Sequence, residues 1–352
     1  MTPKNLLKSF DEWRKQKQGL VLASVFETAG STYSKTGARM LINSNGNFQG
    51  MLSGGCLEGD LAERAREVLT SATAQMVTYD LSLNNEELWG LGIGCDGLMK
   101  IFLQPLLAEK NYAPFVAIAR AYEGDHPEVA ATVLASDQDV VEPGATLVTA
   151  DDNVQLFGLT DDAAKDLLGE AQAALADNIS STRKIQIGDA NATVLFAIIK
   201  PRPRLLVLGA GLDAEPVTRL AAELGWRITV IDHRPAYIEK GSFGDADEVI
   251  CCPADELADV VDLAKFNTTI VMSHHLASDR SYLGQLSRSD IPYIGLLGPK
   301  DRRRRLLEDL GADAGDLEGR LHGPAGLDIG AVGPAAIALS ILAEMHSALA
   351  GS

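Results

Sequence analysis

The alternation of apolar and polar positions changes character once along the chain. It opens at helical spacing over residues 4 to 17, with Leu6, Leu7, Phe10 and Trp13 on one side and Gly19 as the stop. Leu20 to Phe26 is an apolar strand. Ala38 to Ile42 and Phe48 to Leu52 read as two more strands around the turn Asn43-Ser44-Asn45-Gly46. Leu57, Leu61, Ala65, Val68 and Leu69 return to the helical period. Met76 to Leu81 and Met99 to Leu103 are strands, with one polar helical turn at Asn84 to Leu88 between them. Pro105 to Pro114 marks a break. Beyond it the pattern predicts a helix near Phe115 to Ala121, strands near Val129 to Ala135, Thr146 to Thr149 and Gln155 to Leu159, and a helix from Asp161 to Ala176. Strands follow at Lys184 to Ile187 and Thr193 to Ile199. This middle segment holds no chemical motif and is read as extending the first domain.

Pro201 and Pro203 mark a hinge, after which strand and helix alternate regularly. Leu205 to Leu208 is a short apolar run, as expected of a strand buried on both faces. It ends in Gly209-x-Gly211-x-x-Ala214, followed by a helix with Val217, Leu220, Ala221 and Leu224 on one face. A second strand, Arg227 to Ile231, ends in Asp232, 23 residues after the first glycine. Gly209 permits a tight turn, Gly211 clears a phosphate's path to the backbone N–H groups, and Asp232 could accept hydrogen bonds from a ribose. Asp213 and Glu215, in the first helical turn, would repel an anion. Further strands are expected at Asp247 to Cys252, Thr268 to Ser273 and Pro292 to Leu297, and a closing helix at Ala335 to about Leu349 after Pro334. Cys251 and Cys252 are read as core residues. The pattern is α/β: a Rossmann-like doubly wound parallel sheet over residues 201–352 and a separate α+β domain over residues 1–200.

Composition narrows the functions open to such a chain. Its 352 residues suffice for two or three domains, and a 46% hydrophobic content supports substantial cores. A formal net charge of −17 argues against a nucleic-acid surface and against acidic membranes. No run approaches the ~18 apolar residues of a membrane span, and the N-terminus lacks the apolar core of a signal peptide. The four cysteines, Cys56, Cys95, Cys251 and Cys252, form no CxxC pair. A cytoplasmic protein without a disulfide framework is expected.

Two of these cysteines sit in loops cleared by glycine. Cys56 follows Ser53-Gly54-Gly55 and precedes a helix, a position that favours a thiolate, while Glu58 and Asp60 oppose it by their charge. Cys95 lies in Trp89-Gly90-Leu91-Gly92-Ile93-Gly94-Cys95-Asp96-Gly97. A third loop, Glu27 to Gly37, is rich in hydroxyls. Cys56 and Cys95 are expected near each other, facing a cleft toward the second domain. Two thiols with no nearby His make a poor zinc set. In the second domain His274 stands at the carboxyl end of the fourth strand, where open α/β sheets bind ligands. His322 opens the glycine-rich stretch His322-Gly323-Pro324-Ala325-Gly326-Leu327-Asp328-Ile329-Gly330.

Gly54-Gly55-Cys56-Leu57-Glu58, Gly92-Ile93-Gly94-Cys95-Asp96-Gly97, the Gly209-x-Gly211 turn with Asp232-His233-Arg234, and the His322 to Gly330 stretch together resemble the xanthine dehydrogenase accessory (XdhC/CoxI) family. The resemblance runs from about Val21 to Glu344. It implies a protein that binds molybdenum cofactor, as molybdopterin or its dinucleotide form, and helps insert it in sulfurated form into a molybdenum hydroxylase. Implied partners are that client enzyme and a cysteine desulfurase; a homo-oligomer is expected. Implied cofactor-binding residues are Gly54, Gly55, Cys56, Glu58, Gly94, Cys95, Asp96, Gly209, Gly211, Asp232, His274 and His322, with Cys56 and Cys95 at the molybdenum. Soft thiolates suit such a metal–sulfur centre. Two departures stand out: Cys95-Asp96-Gly97 where Cys-Gly-Gly or Cys-Asn-Gly is usual, and Ser273-His274-His275 where Thr-His-Asp is usual. The alternatives are an NAD(P)-dependent oxidoreductase using the Gly209 turn, with His274 or His322 as its acid, and a scaffold whose turn is empty.

Overall fold

Alternate residues of most strands feed two different cores, and this layering sets the architecture. The computed structural model describes residues 2–80, 97–138, 140–150 and 153–350. The chain divides into two compact units, residues 1–201 and 202–352.

The first unit starts with α1 (Pro3–Lys15), β1 (Leu20–Gly30), β2 (Arg39–Asn43), β3 (Phe48–Gln49), α2 (Glu58–Ser71), β4 (Gln75–Asp80) and β5 (Gly97–Leu106). The same series then recurs as α3 (Phe115–Glu123), β6 (Glu128–Ser136), β7 (Thr146–Ala150), β8 (Asn153–Phe157), α4 (Asp161–Asp177), β9 (Ser181–Ile187) and β10 (Ala190–Ile199). The two antiparallel sheets have matching strand orders, β3-β2-β1-β5-β4 and β8-β7-β6-β10-β9. The unit is a structural duplication. On β1, Val21, Ala23 and Val25 pack with Leu61, Ala65 and Val68 of α2. Leu20 and Leu22 turn the other way, to Phe10, Phe115, Ala130, Val148 and Ile199. On β6, Val129, Ala131 and Val133 pack with Leu167, Ala171 and Ala174 of α4. The sheets therefore lie face to face with a helix outside each, in four layers: helix, sheet, sheet, helix. The period-2 alternation of strand side chains produces this directly.

The middle segment stays in the first unit, as its pattern predicts, and builds a second sheet there. Two other expectations are corrected. The break at Pro105 to Pro114 begins inside β5, where Pro105 pairs with Val21 beyond the last residue opposite β4, so its missing N–H breaks no bond on that side. Of the strand expected at Phe48 to Leu52, only Phe48–Gln49 pairs. At Gly50, a Cβ would lie 2.7 Å from Met40 Cα, and the chain leaves the sheet there.

The second unit has β11 (Arg204–Leu208), α5 (Ala214–Glu223), β12 (Arg227–Asp232), α6 (Pro235–Lys240), β13 (Glu248–Cys251), α7 (Leu257–Val260), β14 (Thr268–Val271), α8 (Leu276–Leu286), β15 (Tyr293–Leu296), α9 (Lys300–Leu310), β16 (Leu321–His322) and α10 (Pro334–Ala350). Its six strands run in the order β13-β12-β11-β14-β15-β16, and every pairing is parallel. This is the Rossmann order, with its switch point between β11 and β14. Leu205 and Val207 enter the core under α5 and α10, and Leu206 and Leu208 the core under α8. That double burial is why the run has no polar alternation. Cys252 is buried, but Cys251 is exposed at the end of edge strand β13, contrary to the core role expected of both. Arg202 is buried at the unit's first turn, where it donates to the carbonyls of Gly225 (2.7 Å) and Trp226 (3.1 Å). No helix among the described residues is long and apolar enough to cross a membrane.

Candidate functional site

In the first unit the expected residues that the structure describes gather at the loop between β3 and α2. Gly54 (φ +80°) and Gly55 (φ +115°) are both left-handed, which glycine adopts without strain. They swing the chain so that Cys56 is exposed immediately before α2. A Cβ at Gly55 would meet nothing within 4 Å, so the space beside the thiol is open. Glu58, expected at the cofactor, turns inward instead and is 1% exposed. Its Oε1 accepts from the amides of Leu52 (2.8 Å) and Ser53 (2.9 Å), and its Oε2 from the Gly55 amide (3.0 Å) and the Ser53 hydroxyl. The Ser53 hydroxyl in turn accepts from Leu57 N–H at 2.8 Å. Burial raises the Glu58 pKa, but the Ser53 and Leu52 hydrogen bonds outweigh it and hold the carboxyl below its ordinary value. Glu58 is thus a brace for the loop that carries Cys56. Asp60 is spoken for as well: Arg64 Nε donates to it at 2.7 Å, and the Tyr79 hydroxyl donates to the same oxygen.

The hydroxyl-rich loop joins this site. The Ser34 hydroxyl donates to Met51 O at 3.1 Å, and the Tyr33 ring lies beside Gly54, 3.5 Å from where its Cβ would be. Gly97, at the head of β5, sits so close to Ser31 that a Cβ would be 2.5 Å from its carbonyl oxygen. Gly94, Cys95 and Asp96 lie outside the described residues, as does the turn expected at Asn84 to Leu88. Among the described residues no group of three or more His, Cys, Asp or Glu is placed to hold a metal ion.

In the second unit the expected residues collect at the carboxyl edge of the sheet, but most face one another. Gly209 (φ +125°) packs against strand β14's exit, where a Cβ would lie 2.6 Å from the Met272 carbonyl. Asp232 is fully buried, which corrects its expected role toward a ribose. Ala210 N–H donates to it at 2.7 Å, and Arg234 clasps it through its amide (2.9 Å), Nε (2.8 Å) and a terminal nitrogen (2.7 Å). Burial pushes the Asp232 pKa up, yet the Arg234 guanidinium and these amides keep it below the usual carboxylate range. Arg234 also stacks on the Tyr237 ring at 3.7 Å and reaches Ser273 O at 3.3 Å. His274 pairs through Nε2 with Asp213 Oδ2 at 2.7 Å. Its φ of +59° is in the left-handed region, which a residue with a Cβ enters at a cost of roughly 1 kcal/mol. The other Asp213 oxygen lies 2.6 Å from where a Gly211 Cβ would be. His322 stacks on Tyr293 at 4.3 Å, and its Nδ1 is 3.3 Å from Glu344 Oε1.

Comparison with known proteins fits both halves. A family model described as the XdhC Rossmann domain matches residues 205–345, and one described as the XdhC and CoxI family matches residues 13–80. The chain belongs to the XdhC and CoxI family. A relative from Bacillus subtilis (strain 168), named as a probable component of xanthine dehydrogenase, is 29% identical over 335 residues, covering 95% of this chain and 94% of that protein. An uncharacterized protein, YqeB, of Escherichia coli (strain K12) is 29% identical over 157 residues, 44% of this chain and 28% of its own length. A crystal structure described as a xanthine dehydrogenase from Bacillus halodurans superposes with a TM-score of 0.78 at 29% identity, covering 100% of this chain and 96% of that one.

Within this XdhC-family chain the sequence motifs mark the right places but not all the right partners. Asp213 was legible only as an unfavourable charge, yet it is the residue that meets His274. Ser273 and Arg302 both hydrogen-bond the buried Asp279, a residue that no motif marks. Glu344 was equally silent in the sequence, although it accepts from the Tyr293 hydroxyl and from Gly326 N–H at 2.6 Å, and so fixes the stretch after His322.

Proposed function

We propose that this chain is an accessory factor of a xanthine-dehydrogenase-type molybdenum hydroxylase, and that it holds molybdenum cofactor and passes it on in sulfurated form. The observation that carries the reading is the exposed Cys56 thiol on a loop braced from within by buried Glu58. The donor chemistry fits: a soft sulfur ligand stands in open space, and its neighbouring acids are already engaged. Bound cofactor would supply a metal–sulfur centre and an anionic pterin phosphate. Cys56 would contact the first; the brace would keep the thiol in place without contributing a ligand. A cysteine desulfurase is the proposed sulfur source. The NAD(P) reading loses ground because Asp232, the acid that reading places at a ribose, is committed to Arg234.

The test is anaerobic loading with molybdenum cofactor, removal of free ligand, and measurement of molybdenum per chain and of client activation. Cys56→Ser is expected to keep the wild-type circular dichroism spectrum while losing most retained molybdenum and most client activation. Equal retention and activation by the variant would overturn the proposal.

A further inference from the structure

Four arginines follow one another near the start of α9, and their surroundings differ. Arg302 lays its stem against Gly298 and clasps buried Asp279 through Nε (3.1 Å) and a terminal nitrogen (2.6 Å). Arg304 reaches Asp301 at 3.1 Å, both of them exposed. Arg305 is exposed to solvent. Arg303 is half-buried, and its Cδ lies 2.9 Å from where a Cβ of Gly323 would be. Its Nε is shut off from solvent and has no hydrogen-bond partner, and its terminal nitrogens meet no acceptor among the described residues. Every other arginine of this unit that is not exposed is engaged: Arg202, Arg204, Arg227, Arg234, Arg302 and Arg320. The chain carries 48 acidic residues against 31 basic ones, so carboxylates are plentiful, yet none meets this guanidinium among the described residues. A buried charged donor left without an acceptor is costly unless a ligand supplies one.

We propose that Arg303 anchors a phosphate-type oxyanion at the carboxyl end of β15 and β16, with Lys300 as the second cation. Lys300 stands three residues earlier on the same face of α9, exposed and unpaired among the described residues. The planar guanidinium can meet two oxygens of one oxyanion at once, and two cations favour a dianionic phosphate over a carboxylate. The start of α9 has no side-chain cap, so its positive end adds to the same field. Asp301 opposes it, but that carboxylate is 84% exposed and paired with Arg304. His322 belongs elsewhere: it stacks on Tyr293 and meets Glu344 of α10. The site is also separate from the Gly209 turn. β16 lies three strands from β11, about 14 Å at the usual strand spacing. Nothing in it depends on Cys56.

The experiment titrates the full chain at low ionic strength with inorganic phosphate, phenyl phosphate and acetate, by calorimetry. Wild type is expected to bind both phosphates at millimolar concentration or below, and acetate more weakly. Arg303→Met keeps an unbranched stem against Gly323 and drops the guanidinium. It should keep the wild-type circular dichroism spectrum and bind phosphate at least tenfold more weakly. Arg303→Lys retains the charge without the fork and should fall between the two; it carries the test should Arg303→Met fold poorly. Lys300→Ala should lose about threefold, as an exposed cation contributes less. Arg305→Ala, which removes an exposed charge from the same helix, should bind as wild type does. Tighter binding of phenyl phosphate supports the phosphate end of an organic ligand as the occupant, and tighter binding of inorganic phosphate supports the free ion. Equal affinity of wild type and the Arg303 variants overturns the proposal. So does an equal loss in Arg305→Ala, acetate binding as tight as phosphate, or no phosphate binding by wild type. None of these probes contains molybdenum, so a failure here leaves the Cys56 reading standing, and a failure of Cys56 leaves this one standing.

Discussion

The two halves of the first unit share one topology and differ in what they add to it. In the first half, residues 50–57 separate β3 from α2, and residues 81–96 separate β4 from β5. In the second half the corresponding stretches are residues 158–160 and the turn Gly188-Asp189. Cys56 and Cys95 both fall in the stretches that only the first half has. The helices start differently too. The second half caps α4 with Thr160, whose hydroxyl accepts from Ala163 N–H at 3.3 Å. The first half gives α2 no side-chain cap, and Glu58, its first helical residue, binds amides of the preceding loop. The duplicated sheets are the scaffold, and the cysteine loop proposed to hold the cofactor lies where the first copy departs from the second.

The strongest way to break this contrast is Glu58→Ala. It removes four hydrogen bonds to a buried carboxylate and leaves the Leu52, Ser53 and Gly55 amides without an acceptor. A loss of about 3 kcal/mol in stability is expected, together with loss of the Cys56-dependent cofactor retention; an unchanged urea midpoint would refute the bracing role. Replacing residues 81–96 with a short glycine turn should come next. Asp80 and Leu98 are already paired across β4 and β5, so the strand ends can be joined directly. The thermal midpoint should stay within a few degrees while molybdenum retention falls; retention at the wild-type level would show that the extra stretch carries no function. Thr160→Ala probes the plain copy and should cost about 1 kcal/mol with no effect on retention. The smallest effect is on acidification. Because the folded Glu58 pKa lies below its ordinary value of 4.5, its carboxylate stabilises the fold above that value, and the contribution fades as pH falls through the lower folded pKa. The stability gap between wild type and Glu58→Gln should therefore be constant from pH 7 to about 5 and narrow below that; a constant gap down to about pH 3 would contradict it.

Much of the second unit was legible because its signals are local. A run such as Leu205 to Leu208 can be apolar throughout only if both faces are covered, and Gly209-x-Gly211 marks the turn that follows. The Cys56 position was equally plain, since glycines precede it and helical spacing follows. The duplication was not legible. Each half is recognisable by strand order and packing, which depend on which strands meet, and β3 is only two residues long. The inward turn of Glu58 is hidden for a related reason: three of its four hydrogen bonds come from backbone amides, which leave no mark in the sequence. Asp213 reads in the sequence only as a charge, because its partner His274 lies 61 residues away.

Arg202 carries a practical consequence for taking the protein apart. Its guanidinium is the lid on the Gly225 and Trp226 carbonyls, while Pro203 O receives Arg227 N–H at 2.8 Å. The boundary of the second unit is thus set by a side chain that precedes its first strand. A gene fragment begun at Arg202 brings its own seal; one begun two residues later, at Arg204, bares those carbonyls at about 1 kcal/mol or more apiece. Two codons at the start of a gene fragment thus decide whether the Rossmann half keeps or loses that seal.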